Sequence, residues 1–352
     1  MPKREDRKLT AKENFLRMMR GGDPEWLPFY TMGFPYFMFW GETDEPAPTA
    51  MVSPSPLQDP HAKGGGKDCW GVNWVGNYQT GNALLPEPNN FMLDDVTKWH
   101  DVVKAPDLSD VDWEMTCKKD IEAMHIDRNQ TALMLNGYVG AFQEFIGMMG
   151  FTEGLIAMFE EPEECAALVK YINDFYVDVL KHCMPYMKPD ILYLQDDTCA
   201  AGGPFMSLDL FRQILLPTYQ DFAREIADPY DIPIQFHNCG KATSIMDILH
   251  EEAHIVSWDP VQKVNDIEAF QKKWGKDFLL CGCWDPTTEI LDPDCPDEVL
   301  IDDIKATMDK YGQNGGYAFF GMFVGPLDDE SLKHKSKVMM DTVFDYGATF
   351  YD

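Results

Sequence analysis

From about Thr131 to the end of the chain, short apolar runs alternate with amphipathic stretches, and this alternation limits the fold more than any other feature. "TALMLNG", "DILYLQDD", "IPIQFHNC", "HIVSWDP", "DFLLCGCWDP" and "GYAFFGM" are strand-length runs that end in polar or turn residues. Between them "SLDLFRQILLPTYQDFAREI", "ATSIMDILHEE", "NDIEAFQKKWG" and "DEVLIDDIKATMDKYG" carry helical spacing. Parallel strands need long crossovers, and a helix is the usual one. The pattern therefore predicts an α/β protein with a parallel sheet. With "WLPFYTM" as a first strand, seven units are legible, which leaves an eighth to be found in the irregular N-terminal third. Seven or eight units favour a closed (β/α)8 TIM barrel over an open doubly wound sheet. No glycine-rich phosphate loop follows an early strand, which lowers the dinucleotide-binding alternative. The expected organisation is one barrel domain, 1–352. Residues 1–100 form a helical and loop-rich N-terminal extension and cap around the first strand, opening on the helix "LTAKENFLRMMRGG" with Thr10 as N-cap.

From Gly33 to Asp95 periodicity gives way to Pro, Gly and aromatic residues. A loop-rich stretch of this length caps or lines a site or packs a subunit interface, so a homodimer stays among the expectations. Tyr36, with Phe37 and Trp40, is a candidate substrate contact. The 59 acidic against 29 basic residues give a net charge of −30. Nucleic acid and anionic membrane are bound through clustered Lys and Arg, so both are excluded as partners. No secretory leader and no membrane-length apolar run is legible, which predicts a cytoplasmic protein. Nine scattered cysteines make no disulfide framework in a chain of this size.

In such barrels the active site lies at the C-terminal ends of the strands. The polar residues there are Asn136, Asp196, Asp197, His237, Cys239, Asp259, Cys283 and Asp285. In "QFHNCGKAT", His237 and Cys239 stand two apart on a strand and face one side. Imidazole and thiolate are zinc ligands, and a catalytic zinc takes three protein ligands with one position open. Cys283, two βα steps later, is the third candidate; Asp196, Asp197 and Glu144 are oxygen alternatives. On spacing alone, a hydrogen-bonded core histidine beside a buried thiol is an equally open reading.

"KENFLRMMRGGDPEWLPFY", "GAFQEFIGMMGFTEGL" with "EEPEEC" after it, "DILYLQDD", "FMSLDLFRQILLPTYQDF", "FHNCGKATSIMDIL" and "CGCWDP" form an ordered set that resembles the uroporphyrinogen decarboxylase superfamily, from about residue 9 to 349. The resemblance implies a (β/α)8 barrel with its site at the C-terminal mouth. It also implies one of two chemistries: cofactor-free porphyrinogen decarboxylation, or zinc-dependent methyl transfer with a corrinoid protein. Decarboxylases of this kind hold a polycarboxylate with an Arg-rich N-terminal segment; "FYTMGFPYFMFWG" has no Arg or Lys. The methyltransferase branch carries a His-x-Cys metal pair, matched by His237 and Cys239. Its coenzyme M type takes a third cysteine after the last strand, where "AFFGM" offers Met322. Cys283 is the preferred replacement and an acid such as Asp197 or Glu144 the alternative.

The resemblance thus implies a zinc-dependent enzyme moving a methyl group from a small methylated substrate, an aryl methyl ether in the preferred reading, to the cob(I)alamin of a separate corrinoid protein. The corrinoid is placed on a partner on the expectation that this chain has no Asp-x-His-x-x-Gly lower-ligand signature of its own. Asp196, Asp197 and Glu144 take the catalytic roles; Tyr36, Asn136, Asp259 and Trp284 line the substrate side. The alternatives are a methylcobalamin:thiol methyltransferase, a metal-free porphyrinogen-type decarboxylase with Asp196 or Asp197 as acid, and a catalytically silent binding barrel.

Overall fold

The computed structural model describes residues 7–35, 43, 45–80, 83–326 and 328–352. Among these, the strands are β1 (Thr49–Val52), β2 (Gly66–Lys67), β3 (Asn73–Asn77), β4 (Ala83–Pro86), β5 (Ala132–Val139), β6 (Ile191–Gln195), β7 (Cys199–Ala200), β8 (Gly203–Pro204), β9 (Ile234–His237), β10 (Ile255–Val261), β11 (Leu279–Cys283) and β12 (Tyr317–Phe320). One sheet has seven of them in the order β1-β5-β6-β9-β10-β11-β12. The pairs β6–β9, β10–β11 and β11–β12 are parallel. β6, β11 and β12 are buried on both faces, which is why they read as unbroken apolar runs rather than as alternation. The α/β class and the parallel sheet are as expected, and β1 is the strand that the irregular N-terminal third conceals.

"WLPFYTM" does not form a full strand. Phe29 makes a single parallel bridge to Phe319, with Tyr30 N–H donating to Phe319 O at 2.7 Å and Phe319 N–H to Pro28 O at 3.1 Å. Pro28 has no N–H to give, which shortens the ladder. At its far end Gly33 O accepts Met51 N–H at 3.0 Å. Gly33 has φ 76°, and a Cβ there would lie 2.6 Å from that of Met51, so only glycine lets β1 come this close.

The chain divides into two compact units: Met1–Met51, Ile126–Met134 and Val256–Asp352 in one, Val52–His125 and Leu135–Ile255 in the other. The first contains the opening helix Ala11–Met19, N-capped by Thr10 as its sequence predicts, with Glu13 completing a capping box and Phe15 stacked on Tyr30 at 5.4 Å. The second contains β6, β9 and the three-stranded antiparallel sheet β2-β3-β4. It also holds the helices Ala141–Met149, Phe151–Glu160 and Pro162–Met187. The helices break at Gly150 and at Glu161, where Pro162 starts the next helix in the position that needs no N–H. No helix among the described residues is long and apolar enough to cross a membrane.

Candidate metal centre

β6 and β9 run parallel with Gln195 opposite His237, so the residues that follow each strand emerge at the same end of the sheet. Asp196 N–H donates to His237 O at 3.0 Å and continues the register. One residue later Cys239 N–H donates to Asp197 Oδ1 at 2.6 Å. His237 Nε2 then stands 3.7 Å from Cys239 Sγ and 3.8 Å from Asp197 Oδ1. Ligand atoms of these three residues lie within 4.8 Å of one another. Two ligands held about 2.0–2.3 Å from a tetrahedral metal such as zinc are about 3.3–3.8 Å apart; the two separations from His237 Nε2 lie at the upper end of that range, so the three donors could hold a metal ion.

Burial pushes the Cys239 thiol upward, His237 pulls it back, and Asp197 adds to the rise. A cation between the three groups offsets that burial cost. Gln143 Nε2 donates to Asp197 Oδ2 at 3.4 Å, so both carboxylate oxygens are oriented by neighbours. Beside the triad is a pocket of about 180 Å3. Its apolar side is Trp74, Leu84, Leu85, Pro86 and Ile146; its polar side is Gln143, Gln195, Asp197 and His237.

The other candidates have different surroundings. Asp196 is buried and accepts the N–H groups of Phe142 (3.2 Å) and Gln143 (3.1 Å) and the Tyr219 hydroxyl (2.7 Å). Burial raises its pKa to about 7 in spite of these donors. It anchors the N-terminus of the Ala141–Met149 helix, where the helix dipole suits a carboxylate. Glu144, on the same helix, is fully buried, with Tyr176 donating to Oε1 at 3.2 Å. Desolvation, reinforced by Asp68, holds its carboxyl well above the usual range. Asn136 is buried and donates to Ser53 Oγ at 3.0 Å.

In the other unit Asp259 is buried and accepts the Tyr30 hydroxyl at 2.8 Å, and Trp284 donates its indole N–H to Asp303 at 2.6 Å. Cys283 ends β11 fully buried, its thiol raised well above the usual value by desolvation and Asp285. Its φ of 61° takes it out of extended geometry, so strand alternation does not set its direction. Tyr36 lies outside the described residues. Gln143 and the β3–β4 hairpin were not singled out by sequence. The one signal for the hairpin is that it belongs to the loop-rich stretch expected to cap or line a site. One sequence expectation needs correcting: residues 59–64, "DPHAKG", do fit Asp-x-His-x-x-Gly. Pro60–Lys63 form a short helix there, and Asp59 accepts the Ser53 hydroxyl at 2.6 Å.

Fold and donor set together define an α/β protein with a candidate three-ligand metal centre at the ends of parallel strands. Residues 89–321 match the family model of uroporphyrinogen decarboxylase (URO-D), and the chain belongs to that family. Its structure is similar to that of a methyltransferase from Methanosarcina mazei, with a TM-score of 0.59 and 12% identity over 96% of this chain and 99% of that one. At that identity the likeness is one of fold. No curated protein sequence matches the chain.

Proposed function

We propose that this chain is a zinc-dependent methyltransferase that removes the methyl group of a small aryl methyl ether and passes it to the cob(I)alamin of a separate corrinoid protein. The carrying observation is the convergence of Asp197, His237 and Cys239 beside a pocket with one apolar and one polar side. Asp197 is the third ligand in this reading, ahead of Cys283. Bound there, zinc supplies a Lewis acid that draws charge from a leaving oxygen. The protein's part is to fix His237 and Asp197 by strand register, to orient Asp197 through Gln143 and Cys239 N–H, and to set the buried Trp74 ring against the reacting group. A (β/α)8 barrel, with the Phe29 segment as its eighth member, completes the proposal.

Size and charge favour this donor over a porphyrinogen. A cavity of about 150 Å3 holds benzene, so about 180 Å3 suits one substituted ring. No lysine or arginine lines the pocket to receive carboxylates. Asp196 is not free to act as a decarboxylase acid, because both its oxygens are engaged in holding a helix.

The test is zinc content of anaerobically purified protein, with Asp197→Ala, His237→Ala, Cys239→Ala and Cys283→Ala beside it. About one zinc per chain, lost in the first three variants and kept in the fourth, is expected. Loss in Cys283→Ala with retention in Asp197→Ala moves the third ligand to Cys283; no zinc in any form sinks the proposal. A corrinoid spectrum in the purified chain would place that cofactor here and not on a partner.

A further inference from the structure

Bonded to the pocket's tryptophan wall is a pair of buried carboxyl groups for which the proposed chemistry has no use. Asp68 accepts the N–H groups of Trp70 (2.9 Å) and Val72 (3.0 Å) on Oδ1, and the Trp74 indole N–H on Oδ2 at 2.6 Å. Glu144 is 0% exposed. Its Oε1 accepts the Tyr176 hydroxyl, which in turn accepts the Trp70 indole N–H at 2.9 Å. Its Oε2 is buried and meets no donor. Asp68 lies within hydrogen-bonding reach of it, and the other ionisable groups that act on the pair include Tyr176, Cys69 and Asp196. Among the described residues neither carboxyl has a lysine, arginine or histidine partner.

Two facing carboxylates cannot both stay ionised in a buried site without a cation, because neither desolvation nor their repulsion is compensated. One proton must remain. Three N–H donors favour the charge on Asp68. A proton on Glu144 turns the orphan Oε2 into a donor, and Asp68 is the acceptor it meets.

We propose that Glu144 and Asp68 share one proton, with Glu144 as the O–H donor, and that this pair positions the pocket by joining the Trp74 wall to the helix whose Gln143 holds Asp197. Both are positioning residues. The consequence for substrate recognition rests on reading this pocket as the methyl donor's site; the shared proton does not.

Infrared difference spectra of the full chain at neutral pH, native against Glu144→Gln, test the proton. The carbonyl band of a protonated carboxyl is present in the native protein and lost in the variant. The indole N–H resonance of Trp74 in tryptophan-labelled protein, assigned with Trp74→Phe, tests the positioning. It stays in place in Glu144→Gln, where an amide N–H replaces the O–H toward Asp68, and moves in Glu144→Ala. No lost band means that Glu144 is ionised and overturns the proposal; an unmoved Trp74 resonance in Glu144→Ala overturns the positioning role. Glu144→Gln keeps the shape of the site, so its spectrum stays interpretable if the alanine variant fails to fold. Neither readout needs metal, substrate or partner, so both are independent of the methyltransferase reading.

Discussion

Single atoms set the candidate centre. Gln143 touches Asp197 rather than the metal position, and partners that orient a ligand typically contribute ten- to a hundredfold to metal affinity. Gln143→Ala is therefore expected to lower zinc affinity by about tenfold or more, read by competition with a chelator; an unchanged affinity shows that the backbone N–H of Cys239 orients Asp197 unaided. Gly140 is the second such position. A Cβ there would sit 1.7 Å from Asp196 Cγ, inside the carboxyl that anchors the next helix. Gly140→Ala should cost about 3 kcal/mol in urea unfolding, at the upper end of ordinary overpacking. Gly202→Ala is the control: a Cβ there meets nothing within 4 Å, and the substitution should be close to neutral.

At the scale of elements, the Ala141–Met149 helix joins the parts of the site. Its N-terminus is tied to Asp196, Gln143 to Asp197 and Glu144 to Tyr176. Burial raises the Glu144 carboxyl well above its ordinary value, so the folded state holds a proton that the unfolded chain has released. Stability from this group is complete below the unfolded pKa and falls as pH rises through the folded one. The slope is about 1.4 kcal/mol per pH unit within that window. Thermal unfolding of Glu144→Gln should therefore depend less on pH than that of the native protein, with the variant gaining relative stability toward alkaline pH. Parallel curves would show that Glu144 titrates alike in both states. The β3–β4 hairpin forms the opposite side of the pocket through Trp74, Leu84, Leu85 and Pro86. Trp74→Ala is expected to enlarge it and shift turnover from one-ring toward two-ring aryl ethers, measured as the ratio of kcat/KM values; an unchanged ratio means that Trp74 does not bound the substrate.

For the whole molecule, the net charge of −30 bears on docking. On the proposed function, a corrinoid protein drawn to this acidic chain by its own basic residues would feel an attraction that salt screens, whereas free cob(I)alamin feels little of it. Methyl transfer to the protein-bound acceptor should accordingly slow with rising ionic strength more steeply than transfer to the free cofactor, and equal slopes would exclude charge-guided docking. The sequence by itself determined the α/β class, the strands β5, β6 and β9 to β12, and the His237/Cys239 pair. The strands are written in local periodicity, since apolar runs set them; the pair is legible as two ligand types two residues apart, but β9 ends at His237, so the bond from Cys239 N–H to Asp197, not strand alternation, brings the thiol alongside. Only the tertiary structure decided which acid joins that pair. Asp196 and Asp197 are adjacent in the chain, yet one turns to a helix N-terminus and the other to His237. Tertiary contacts likewise brought Trp74 and Gln143, distant in sequence, to one pocket, and replaced the expected first strand with a single bridge at Phe29. Such outcomes depend on strand register and on which donors are left for a buried carboxylate, and neither is encoded within a short window of residues.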